Sequence, residues 1–135
     1  MYGLLIDVMA SFLLGSMVFF AMVVAPTAFK ALDKNQAGSY LRAVFPNFFL
    51  WGAVLSLIIL GVCLLHSPKG SVLMAFVLAG FVYSRQWLTP KINAARDLLN
   101  ESDSPQYKAR FDALHRQSVI INVAQMVVLI ALIIA

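Results

Sequence analysis

Four runs of apolar residues, each near the length that crosses a bilayer, constrain this chain more than anything else in it. They cover about residues 4–24, 45–65, 71–88 and 118–135, and a transmembrane helix needs roughly 20 such residues. Hydrocarbon offers no partner to backbone N–H and C=O groups, so runs of this length read as helices that pair their own backbone. Four spans and their connections use nearly all of the 135 residues. They leave one integral membrane domain, 1–135, with no room for a separate soluble catalytic unit. Composition agrees, with 61% hydrophobic and 12% charged residues against about 45–50% and about 25% in soluble domains. The expected fold is all-α, a four-span transmembrane helix bundle.

The first run lacks the basic flank of a cleaved leader. Met1-Tyr2-Gly3 carries no Lys or Arg, Asp7 is acidic, and the one A-x-A-like boundary, near Ala25, is followed by Pro26. It therefore reads as a retained span. Orientation follows from the basic residues. Lys30, Lys34 and Arg42 lie in the first connection, and Arg85, Lys91, Arg96, Lys108, Arg110 and Arg116 in the third. The second holds only Lys69 and the N-terminal tail holds none. This asymmetry places connections 25–44 and 85–117 in the cytoplasm and both termini outside.

The third connection is too long for a turn. Ile92, Ala95, Leu98 and Leu99 recur on one helical face, as do Tyr107, Phe111, Leu114 and Ser118. Between them Asn100 to Pro105 reads as a break, with Asp103 or Ser104 capping a new helix that starts at Pro105. Spans three and four thus extend beyond the bilayer as a cytoplasmic helical hairpin. Ala37 to Val44 also reads as partly helical, with span two entered at Phe45-Pro46 and span one closed by Ala25-Pro26.

Span four carries the most informative polar pattern. His115, Ser118, Asn122 and Gln125 are spaced by three, four and three and share a face with Phe111. Amides inside a span are costly without partners, so this face points into the bundle or a cavity. Two readings follow: interhelical hydrogen bonding that fixes the packing, or a ligand or ion site near the cytoplasmic leaflet. In the hairpin's first arm Asn93, Arg96 and Asp97 stand at the same level. Arg96 and Asp97 are free to pair with an ion of the first connection or with His115. In span one, Asp7, Ser11 and Gly15 share a face, with Asp7 a proton or cation candidate if buried. Ala75, Ala79 and Tyr83 make a comparable small-residue face in span three.

Several chemistries find no support. There is no nucleophile–base pair, Gly-rich phosphate loop, HExxH or pair of intramembrane carboxylates, so no catalytic residue is assigned. Cys63 is a lone cysteine in an apolar run, without Cys/His ligand spacing, so no metal site is assigned. His66 and His115 fall on opposite sides of the membrane, which disfavours joint heme ligation. The charge of +4 is not gathered into a basic stripe with interleaved aromatics, which argues against nucleic acid.

Pro90-x-Ile92-Asn93-x-x-Arg96-Asp97 and Phe111-x-x-Leu114-His115-x-x-Ser118-x-x-x-Asn122-x-x-Gln125 resemble the transmembrane-protein-205-like family. So do Gly15, Phe19, Ala25-Pro26, Phe29, Ala37-Gly38 and Phe45-Pro46. The family's bacterial members form the domain-of-unknown-function group 4149, and the likeness covers nearly the whole chain. It implies a small four-span protein and supplies no catalytic residue. The function expected is non-enzymatic: binding or moving a small ligand at His115, Ser118, Asn122, Gln125, Asn93, Arg96 and Asp97, or serving a membrane complex. The bilayer and a homo-oligomer or membrane-protein partner are the expected company. The alternatives are a heme- or quinone-linked redox protein using His115 and a purely structural subunit.

Overall fold

The computed structural model describes residues 1–135 and is helical throughout, with no strand. Six α-helices join into four rods. α1 (Tyr2–Phe19) runs into α2 (Ala25–Ala31), and α3 (Lys34–His66) is unbroken. α4 (Pro68–Tyr83) runs into α5 (Thr89–Glu101), and α6 (Pro105–Ile134) forms the last rod. All four rods are long and apolar enough to cross a membrane. At 1.5 Å per residue the 30 residues of α6 reach about 45 Å, beyond a hydrocarbon core of about 30 Å. α5 and the start of α6 pack together as the hairpin that the pattern between Ile92 and Ser118 predicts. Ser104 Oγ accepts from Gln106 N–H at 3.3 Å, and Pro105 opens the helix.

Pro26 and Pro46, expected to close span one and open span two, do neither. Proline removes an N–H and crowds the preceding turn, yet the chain stays helical through Pro26, Pro46 and Pro90. At Pro26 and Pro90 the backbone relieves the crowding by widening the turn just before. Phe20–Val24 and Ser84–Leu88 are π-helical, closed by Ala25 N–H to Phe20 O and by Thr89 N–H to Ser84 O. Thr89 Oγ1 also donates to Ser84 O at 2.7 Å. At Pro46 the carbonyl accepts from Arg85 Nε at 3.1 Å, tying α3 to the second wide turn. α3 starts at Lys34 because Asp33 and Gln36 form a capping box: Asp33 Oδ1 accepts from Gln36 N–H at 2.8 Å.

The core follows a seven-residue cadence, the signature of helices packed at a shallow angle. Ile6, Ala10, Leu13 and Met17 face Gly52, Ser56, Ile59 and Cys63, with Gly70, Met74, Val77 and Phe81 completing the seam. α6 adds only Gln125 and Leu129 to the buried set. The small-residue faces expected to bring helices together point outward instead: Ser11, Gly15, Ala75, Ala79 and Tyr83 are exposed. Close approaches occur where Gly52 receives the Phe81 ring, Gly70 meets Ser67 and Cys63, and Gly80 receives Gln125. Only 24 of 135 residues are buried, and apolar side chains such as Phe12, Phe76 and Val127 cover the outside. Such a surface suits lipid rather than water.

Candidate functional site

At the hairpin end of the bundle the rods part around a cavity of about 480 Å³. It adjoins the two wide turns. Phe20, Ala21, Ala25 and Pro26 line it from the first rod, and Thr89, Ile92, Asn93 and Arg96 from the third. α3 contributes Leu41 and Arg42 and then Phe45, Phe48 and Phe49, while α6 contributes His115, Ser118, Asn122, Val123 and Met126.

The lining is graded. Arg42, Arg96 and His115 stand at the level where the hairpin leaves the bundle. By the helical rise, Phe49 lies about 10 Å deeper than Arg42, and Met126 about 16 Å deeper than His115. The deep part is aromatic: Phe20 stacks on Phe48 at 4.2 Å and meets Phe45 edge-on at 5.2 Å. Phe45 in turn stacks with Phe49 at 5.7 Å. Such contacts give a rigid apolar floor.

At the polar end Arg42 donates to Asp97 Oδ2 at 2.8 Å and to Asn93 O at 3.1 Å. This is the chain's one ion pair, and both partners are about half exposed, so it contributes about 0–1 kcal/mol. Arg96 has no carboxylate. Its guanidinium lies 5.3 Å over the Phe111 ring, and Nη1 donates to Gly38 O at 3.4 Å. Burial presses its pKa below the ordinary arginine value, with the Arg42 charge acting the same way and Asp97 opposing. His115 lies parallel to Phe111 at 6.1 Å.

The structure thus gathers His115, Ser118, Asn122, Asn93 and Arg96 around one space. Asp97 stays outside the lining as the partner of Arg42. Gln125 does not face the cavity. It is buried against α4, where Nε2 donates to Val77 O at 2.8 Å. One turn further along the same helix, the expected row has passed from cavity to helix seam. Asp7 sits half-buried near the start of α1, at the far end of the bundle, where His66 stacks on Tyr2 at 3.6 Å. No three His, Cys, Asp or Glu side chains cluster as metal ligands do. The pairing of Asp97 with an ion of the first connection is met by Arg42, whereas the phenylalanine floor was missed. Phe45, Phe48 and Phe49, at helical spacing across Pro46, were the available signal.

Residues 8–101 match the family described as domain of unknown function (DUF4149). An uncharacterized protein of Aquifex aeolicus (strain VF5) is 49% identical over 45 residues, which cover 33% of this chain and 34% of that relative. The chain therefore spans about a third of the length of the curated relative it matches. No solved structure matches it.

Proposed function

We propose, for a chain that belongs to the DUF4149 family, a binding role: a non-enzymatic membrane protein that holds a small amphipathic molecule in the cavity at the hairpin end. One observation carries this reading. Asn93, Ser118 and Asn122 are half-buried and line the cavity, yet none of their side chains bonds to another group of the chain. Gln125, in the same α6 row as Ser118 and Asn122, is paired with Val77 O. Polar groups held in an apolar setting are costly unless paired. Side chains that served packing alone would pair like Gln125; three unpaired ones from two helices around one space suit a ligand. The volume falls in the range of about 300–1,000 Å³ usual for small-molecule sites.

Charge supports an orientation for the same role. The cavity end carries all the Lys and Arg residues except Lys69, so connections 25–44 and 85–117 face the cytoplasm of a bacterial inner membrane. The ligand then sits at the level of the inner leaflet. Native mass spectrometry of the protein released gently from its own membrane, with an absorption spectrum of the same sample, tests the proposal. A small bound mass is expected on the wild type and absent from the Ser118→Ala, Asn122→Ala double variant. A clean polypeptide mass from both overturns it. A heme or quinone absorption band lost with His115→Ala would replace it with a redox role.

A further inference from the structure

We infer that the ligand is a single-chain anionic amphiphile of the bilayer, held by its head group at Arg96 and admitted sideways between α2 and α6. The inference rests on the cavity reading above and adds the ligand's charge and its route.

The charge follows from pairing. Arg42 is neutralised by Asp97, whereas Arg96 lines the cavity half-buried with only a long bond to Gly38 O and the Phe111 face. A guanidinium partly withdrawn from water gains most from an anion, which it binds through a fixed fork of donors. Ser118, Asn122 and Asn93 line the same cavity as neutral donors. No carboxylate of the chain lines the cavity to compete.

The chain-like body follows from the grading. Below this polar level lies the phenylalanine floor, and the volume of about 480 Å³ holds one small molecule. A lipid of the adjoining leaflet has the same polarity along the same axis.

The route follows from helix packing. α1 packs against α6, and so does α5, but neither α2 nor the wide turn before it does. The cavity wall is therefore interrupted on that side. Phe29 borders the gap from α2, and Val119 and Val123 border it from α6; all three are exposed apolar side chains.

The test uses the full chain in nanodiscs of phosphatidylcholine, with retained molecules counted by native mass spectrometry. The probes are oleate, its uncharged analogue monoolein, and inorganic phosphate. Wild type is expected to prefer oleate to monoolein, and phosphate not to displace it. Arg96→Gln should weaken oleate binding about tenfold or more and leave monoolein unchanged, while Arg96→Lys keeps the preference. Asn122→Asp, which puts a carboxylate into the cavity, should repeat the effect and covers the case in which Arg96→Gln does not fold. Equal binding of oleate and monoolein by wild type overturns the anionic head group and leaves the cavity reading standing. Binding of neither amphiphile overturns both. Displacement of oleate by phosphate at equal concentration overturns the bilayer as the source.

Discussion

Gly80 and Gln125 share a space that admits only one side chain. A Cβ at Gly80 would lie 2.6 Å from Gln125 Nε2, the atom that donates to Val77 O. Gly80→Ala is therefore expected to force the amide from its acceptor and cost about 1–3 kcal/mol, measured as a lower midpoint of denaturation in detergent. Adding Gln125→Ala should recover part of the loss, with a coupling of about 0.5–3 kcal/mol, as contacting residues show. Gly15→Ala is the contrast. Nothing lies within 4 Å of a Cβ there, so the change should be neutral or stabilising by up to about 1 kcal/mol. A clear destabilisation by Gly15→Ala would contradict the outward placement of that face. Spacing alone put Gly15 on a packing face and Gln125 beside Asn122. A helical wheel tells which residues share a face but not which face meets a neighbour. At Gln125 the answer changes within one turn, because its side chain turns to α4 while Val123 and Met126 on either side of it still face the cavity.

The helices themselves were legible, and so were some of their ends. Ser104-Pro105 is a cap with a physical signature, and the structure starts α6 there. The ends assigned to Pro26 and Pro46 were not legible as continuous helix, since proline's missing donor argues for a break. The true start of α3 lies earlier, at the Asp33–Gln36 capping box. Asp33→Ala is expected to cost about 1 kcal/mol and to speed amide exchange over residues 34–40 more than in the core. Equal exchange in variant and wild type would show that tertiary contacts, not the cap, hold this turn. The segment matters to the cavity because Gly38 O is the acceptor that steadies Arg96.

At the scale of the whole molecule the charge asymmetry makes its own prediction. In a Cys63→Ala background, Lys69→Cys should react with an impermeant maleimide on intact cells, and Ser102→Cys only after permeabilisation. The reverse pattern would invert the topology. The four-rod bundle was readable from apolar runs alone, and the polar level of the cavity from Asn93, Arg96, His115, Ser118 and Asn122. Its aromatic floor was not, because it depends on how far the rods diverge. That divergence begins at the two wide turns. A π turn holds about one residue more than an α turn over a similar rise. The buried positions step by alternating fours and threes up to Phe20 and Leu88, and beyond the wide turns that cadence is broken: the next buried residues are Ala28 in the first rod and Thr89 and Ala95 in the third. Deleting one residue from either stretch would restore ordinary pitch and swing Pro26 and Phe29, or Asn93 and Arg96, by about 100° relative to the core. The cavity is thus indexed by two supernumerary residues, and a single-residue gap there would erase it while every lining side chain remained in the sequence.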